Sequence, residues 1–236
     1  MVRDLFSMNL FLNFSFLKNP YSISLLFQGL GMTVILALLS VVLGSVLALI
    51  PALMRLSQSK ILRVPATAYV EIIRGTPMLV QVLLIYQLLN IPLFLIGGID
   101  MGSFVPGLVA LVINSSAYVS EIIRGGILAV DKGQTEASRS LGMTKAQTMR
   151  YIVLPQAIKN IFPALGNEFV TIIKETSIFM YLGVAELMYQ VGILKASSPA
   201  VTELYITAGI MYLILTYPLS KLMNKVEGRL RHADQK

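Results

Sequence analysis

Residues 19–54 read NPYSISLLFQGLGMTVILALLSVVLGSVLALIPALM, without one Asp, Glu, Lys or Arg. A helix crosses the hydrocarbon of a bilayer with roughly 20 apolar residues, so this run alone marks a membrane-embedded chain. Further charge-free runs cover 75–99, 101–120 and 204–220. A fifth apolar segment, between 157 and 189, is interrupted by Lys159, Glu168, Lys174, Glu175 and Glu186, so it cannot face lipid on all sides. The expected fold is an all-α integral membrane protein with five transmembrane helices, at about 25–53, 77–97, 103–124, 157–185 and 203–222. Residues 1–20 precede the membrane domain 21–225, a polar loop spans 131–155, and residues 226–236 form a tail.

Composition agrees, with 56% hydrophobic and 13% charged residues over 236 positions and a mean hydropathy of +0.74. There is no Cys, and the single His, His232, lies in the polar tail, so neither a disulfide framework nor a metal site is expected. The methionines, lacking His or Cys company, read as packing filler. The net charge of +7 reports topology and not nucleic-acid binding. Arg55, Lys60, Arg63, Lys132, Arg139, Lys145, Arg150, Lys221, Lys225, Arg229, Arg231 and Lys236 fall on one side of a five-span layout, against Arg3, Lys18 and Lys195 on the other. The positive-inside rule then places the amino terminus outside and the tail in the cytoplasm. The first apolar run is too long for a signal-peptide core, so the first helix is expected to be its own insertion signal.

Punctuation locates further boundaries. Thr76-Pro77 has the form of an N-cap and first helical residue, and Val64-Pro65 has the same form ahead of a short helix, 66–74, in which Glu71 and Arg74 lie one turn apart. Ala68–Gly75 faintly echoes Ala117–Gly125, too briefly to be a repeat.

The polar loop reads as a bracket. Thr135 is placed to cap a helix starting at Glu136, Gly142 to end it in the left-handed conformation, and Thr144 with Gln147 to form a capping box for a second helix that must stop or kink at Pro155. The first arm is about two turns long and marginal in water by itself, which suits a helix lodged in a partner's groove, with Leu141 and Met143 as apolar contacts. On spacing alone an ordinary solvated basic loop fits equally well.

Several separated stretches resemble one family. Glu136-Ala137-Ser138, then Gly142, then Ile152-Val153-Leu154-Pro155 resembles the Glu-Ala-Ala signature of the membrane permeases of binding-protein-dependent ABC importers, with Ser138 in place of the second Ala. Glu71-Ile72-Ile73-Arg74-Gly75-Thr76-Pro77-Met78-Leu79-Val80-Gln81, Ile113-Asn114-Ser115-Ser116-Ala117-Tyr118-Val119-Ser120-Glu121 and Lys174-Glu175-Thr176-Ser177 are similar to its polar amino acid branch, most closely the glutamine-type permeases. The resemblance implies a type I ABC importer permease fold in a bacterial cell membrane. It implies as partners a second permease copy or sister permease, a cytoplasmic ABC ATPase dimer, an extracytoplasmic amino-acid-binding protein and an amino acid substrate. The bracket becomes a coupling helix, in which Glu136 meets a basic residue of the ATPase, Ala137 keeps the helix thin and Gly142 makes the turn. The chain carries no Gly-x-x-x-x-Gly-Lys-Ser/Thr loop, so nucleotide hydrolysis is expected on another chain.

A second candidate site lies inside the membrane. Glu168 and Glu175 are two helical turns apart with Thr171 between them, a polar stripe on one side of the fourth span. It reads either as a pathway wall receiving the substrate's ammonium or as a buried ion network that fixes packing. Asn114, Ser115 and Ser116 of the third span are candidate hydrogen-bonding groups on the facing wall, and Gln81, Gln87 and Asn90 candidates on the second. Glu71, Arg74, Glu121 and Arg124 lean toward tethering helix ends. An ion-gradient-driven secondary carrier is the alternative, disfavoured by the small number of spans and the lack of an inverted half-repeat.

Overall fold

The computed structural model describes residues 12–233. Arg3 and Lys236, the greater part of the 1–20 segment, and the side chains of Arg231 and His232 lie outside the described residues. After a 3-10 turn, Ser15–Lys18, the main elements are α1 (Pro20–Leu56), α2 (Lys60–Gly75), α3 (Met78–Leu89), a hairpin of β1 (Leu95–Ile96) and β2 (Ile99–Asp100), α4 (Met101–Leu128), α5 (Lys132–Ser140), α6 (Lys145–Thr148), α7 (Leu154–Glu175), α8 (Leu187–Ser197) and α9 (Val201–Ala233). By length and composition α1, α4 and α9 can each cross a membrane, and five crossings result when the bent pairs α2–α3 and α6/α7–α8 each count as one.

Caps set several of these boundaries. Asn19 accepts from the Tyr21 N–H at 3.0 Å ahead of Pro20, satisfying one of the donors a helix start leaves open. Asp100 does the same for α4, accepting from the Gly102 N–H and the Ser103 hydroxyl, each at 2.8 Å. Proline stands inside α1 (Pro51), α4 (Pro106), α7 (Pro163) and α9 (Pro218) without ending any of them. Membrane helices tolerate such breaks where neighbouring groups take over the freed carbonyls.

The second span departs most from expectation. Thr76-Pro77 does stand at the start of a helix, α3 from Met78, but Pro77 and not Thr76 is its N-cap, and the helix is only 12 residues long. The pair is also the corner at which α2 turns by 109° into α3. The Gln81 amide nitrogen closes that corner, donating to the carbonyls of Ile73 (2.6 Å) and Thr76 (3.0 Å) and to the Thr76 hydroxyl (2.8 Å). Its oxygen accepts from the Asn114 amide of α4 at 3.0 Å. α2 begins at Lys60, ahead of the proline expected to start it, because Pro65 so near a helix start removes only one hydrogen bond. α3 ends at Leu89, where Asn90 turns left-handed at φ 39°, so residues 90–97 of the expected span are not helical. A hairpin follows whose two-residue turn, Gly97-Gly98, has positive φ at both positions (58° and 82°), the geometry that twisted strands favour.

α4 is the most buried of the three long apolar helices, with 67% of its most apolar stretch buried against 33% for α1 and 11% for α9. One core joins Leu36 and Ala37 of α1, Val82 of α3, Ala110 and Leu111 of α4, Ile172 and Ile173 of α7, and Phe179 beyond it. A second joins Leu26 to Leu187, Val191 and Leu194 of α8 and Leu204 of α9. α1 and α4 meet so closely at Gly44 that a Cβ there would lie 2.6 Å from the Ser115 hydroxyl. The fourth expected span carries on past α7 through a 3-10 segment, Thr176–Leu182, and a left-handed Gly183 (φ 83°) before bending 49° into α8. Helix α9 runs on through most of the predicted tail, to Ala233.

Two outcomes follow from this packing. Gly44→Val has no room and should destabilise the bundle by about 1–3 kcal/mol, the usual penalty for overpacking. It would be read as a lowered Tm of the purified protein, with Gly31→Val, at a position open on every side, leaving Tm unchanged. Gln81→Leu should also lower Tm, because it strands the α2 carbonyls and the Asn114 amide, each at about 1–3 kcal/mol.

Candidate functional site

The bracket forms, with an earlier start than expected. Asp131, accepting from the Gly133 N–H at 2.6 Å, caps α5 at Lys132, so Thr135 is interior and not the cap. The end is as the glycine demands: Gly142 has φ 88°. The Met143 N–H bonds the Ser138 carbonyl at 3.2 Å and the Gly142 N–H that of Arg139 at 3.1 Å. This paired pattern is a Schellman turn. Thr144 and Gln147 make their reciprocal capping box. Ser138 is buried and its hydroxyl bonds the Thr135 carbonyl and Thr148 hydroxyl, both at 3.0 Å, so it ties the two arms together. Glu136, Ala137 and Gly142 are exposed, Leu141 is 85% exposed, and Met143 is half-buried.

Pro155 neither stops the second arm nor kinks it away. A π-helical turn, Met149–Val153, joins α6 to α7, with the Leu154 N–H reaching back to the Met149 carbonyl. The wider turn shifts the hydrogen-bond register just where Pro155 supplies no donor. The bracket is therefore continuous with α7, the helix of the acidic stripe.

On α7, Glu168 and Glu175 are half-buried and Thr171 is exposed, its hydroxyl bonding the Asn167 carbonyl at 3.2 Å. Neither carboxylate has a hydrogen bond or ion pair among the described residues. Their electrostatic neighbours are Glu175 and Arg74 for Glu168, and Lys174 for Glu175. Asn160, Asn167, Thr171 and Lys174 leave a polar strip exposed along the same helix.

Asn114, Ser115, Ser116 and Gln81 sit elsewhere, in the packing of α4 against α1, α2 and α3. Asn114 and Gln81 bond each other at the corner, Ser116 Oγ lies 2.5 Å from the Tyr69 hydroxyl and 2.8 Å from the Ile113 carbonyl, and Ser115 faces Gly44 with its hydroxyl unpaired. All four are buried, and none is hydrogen-bonded to the acidic stripe.

Other polar contacts went unread in the sequence. Glu121 binds both Arg55 of α1 and Arg124; the tethering of Arg124 was legible from spacing, whereas Arg55 is distant in sequence. Arg74 makes no ion pair with Glu71 among the described residues; its guanidinium lies 5.2 Å from the ring centre of Tyr118. Glu186, fully buried, caps α8 by accepting from the Met188 and Tyr189 N–H groups at 3.0 and 2.7 Å and from the Tyr212 hydroxyl at 3.1 Å. Its acid in an apolar stretch was the available signal.

Comparison with known proteins places this architecture. The family model of the binding-protein-dependent transport system inner membrane component matches residues 40–232. The probable glutamine ABC transporter permease protein GlnM of Bacillus subtilis (strain 168) is 38% identical over 216 residues, 89% of this chain and 98% of that protein. The glutamine transport system permease protein GlnP of Escherichia coli (strain K12) is 35% identical over 210 residues, 89% of this chain and 94% of that one. Among solved structures, an amino acid ABC transporter crystallised with histidines superposes with a TM-score of 0.82 at 46% identity, covering 91% of this chain and 98% of its own. The fold is that of the type I ABC importer permeases, and the chain belongs to the family of binding-protein-dependent transport inner membrane components.

Proposed function

We propose that this chain is the permease subunit of an ATP-driven importer for polar amino acids, glutamine-type in its substrate, and that it forms the translocation pathway and couples it to an ATPase on separate chains. The observation that carries the reading is continuity: the exposed apex of Glu136, Ala137, Leu141 and Gly142 belongs to a bracket that runs through one π-helical turn into α7, which bears Glu168, Thr171 and Glu175. A push on the bracket is thereby a push on the pathway wall. Ser138 and the capping box make the bracket stiff enough to transmit it.

The exposed strip of Asn160, Asn167, Thr171 and Lys174 is too polar for lipid. A second copy or sister permease covers it, leaving a wet cavity between the two. Glu168 and Glu175 face that cavity and take the ammonium or a polar side chain of the substrate. An extracytoplasmic binding protein delivers the amino acid at the end of the molecule that carries the hairpin and α8. The bracket end, rich in Lys and Arg, lies in the cytoplasm with the ATPase dimer. The two permeases then rock between inward- and outward-facing arrangements.

In proteoliposomes holding this chain with its ATPase and binding protein, labelled glutamine should accumulate only with ATP. Accumulation driven by a proton or sodium gradient without the ATPase would replace this reading with that of a secondary carrier. Gly142→Val forces a β-branched residue into the left-handed region, a strain of about 1–2 kcal/mol confined to the turn. It should abolish uptake while leaving insertion into the membrane intact; uptake at the wild-type rate per ATP would remove the bracket from the mechanism. Glu168→Gln and Glu175→Gln should change the apparent KM or the selectivity of uptake without changing assembly, and unchanged kinetics in both would make them packing residues.

A further inference from the structure

A free amino acid brings a carboxylate as well as an ammonium, and the acidic stripe answers only the second. The cations in electrostatic range of it are Lys174, which adjoins Glu175, and Arg74; Arg55 and Arg124 are both engaged elsewhere by Glu121. We propose that Arg74 is the carboxylate-binding residue of the pathway, set opposite Glu168 so that α2 and α7 together hold the two charges of a zwitterionic amino acid. This rests on the amino-acid import reading above and adds to it a named residue on a different helix.

Three features of the structure place Arg74 in that role. The first is depth. Helices α4 and α7 run antiparallel, with Ala110 and Leu111 in one core with Ile172 and Ile173 and a close approach at Gly126, where a Cβ would meet the Ile161 side chain at 2.4 Å. Eight residues along each helix from that approach, about 12 Å, Tyr118 on α4 comes level with Phe169, the neighbour of Glu168. Arg74 lies over Tyr118 and within electrostatic range of Glu168, so the guanidinium and the carboxylate share one level of the bundle.

The second is orientation. A guanidinium held against an aromatic face keeps its edge of N–H donors free, and that planar fork matches a carboxylate through two parallel hydrogen bonds. Arg74 is exposed and has no hydrogen bond or ion pair among the described residues. Glu71, the acid one turn before it, does not occupy it.

The third is support. Arg74 stands one residue before the end of α2, where helix carbonyls favour a cation. The corner beyond it is held by four hydrogen bonds of Gln81, three to the corner itself and one to α4. A side chain carried on that corner is aimed by the scaffold. The same corner explains why Gln81 and Asn114 are buried in packing near the pathway while making no bond to its acids: they position the segment that carries Arg74.

The competing role for Arg74 is that of a plain counter-ion to Glu168. The two roles part in the double variant, measured in the complete importer in proteoliposomes with saturating binding protein loaded with labelled L-glutamine, scoring uptake and binding-protein-stimulated ATP hydrolysis separately. Carboxylate binding predicts that Arg74→Gln lowers uptake about tenfold or more, the loss expected on removing a charge-assisted hydrogen bond, while stimulated ATP hydrolysis persists. Arg74→Lys should retain part of the uptake, Lys174→Gln should lose less than Arg74→Gln, and Arg74→Gln with Glu168→Gln should be no better than either single variant. Recovery of uptake in the double variant, or Arg74→Gln uptake matching wild type, would overturn the proposal while leaving amino-acid import in place. Wild-type vesicles that take up no glutamine with ATP would overturn both. Equilibrium binding to the purified permease–ATPase complex adds a readout that packing does not move: wild type should prefer L-glutamine to L-glutaminamide, which lacks the carboxylate, and Arg74→Gln should lose that preference.

Discussion

In a hydrocarbon solvent a polar group has no water to fall back on, and helix α4 is where this chain meets that constraint for several neighbours at once. Within a few turns it offers Asn114 to the α2–α3 corner, Ser116 to Tyr69 of α2, a close face at Ser115 to Gly44 of α1, Glu121 to Arg55, and Gly126 to Ile161 of α7. Each contact fixes a different helix by a different means. Without α4 the sharp turn at Thr76-Pro77 would leave carbonyls unpaired, and α1 and α7 would have no common partner at the bracket end.

In the proposed mechanism movement is carried by the bracket and α7, beside α4. The bracket does not rest on α4 in the way α1 does; its second arm leads directly into α7 through the π-turn. A regular α-helix through Pro155 would require a donor that proline lacks, and the π-turn resolves this by moving the bond to Leu154 five residues back.

Those elements that depend on solvent were legible in the sequence, and those that depend on contact were not. Charge-free runs located the long helices because hydropathy is a property of each segment by itself. Gly142 and the Thr144–Gln147 box were readable because a left-handed residue and a reciprocal cap are local chemistry. The start of α5 was misplaced because Asp131 and Thr135 are both competent caps, and the earlier one adds a further turn of helix. Thr76-Pro77 was readable as a helix start but not as a corner, because the partner that closes the corner, Gln81, returns from the next helix with Asn114 behind it. Asn114 and Ser116 looked like pathway groups because a polar residue in an apolar span reads the same whether it bonds a substrate or the next helix.

The acids at depth separate along the same line. Glu121 has two arginines, Glu186 has two backbone N–H groups and Tyr212, and Glu203 accepts from the Asn13 N–H at 2.5 Å. Each carboxylate stands where a helix end or a junction needs it, and each is matched within the chain. Glu168 and Glu175 are half-buried on α7, with no hydrogen bond among the described residues. A carboxylate that served only to hold helices together would be drawn to the nearest donor, and Lys174 and Arg74 are both in electrostatic range without closing a pair. Keeping charges near one another but unjoined costs stability. It is the arrangement expected where a third molecule, carrying both signs, is to come between them.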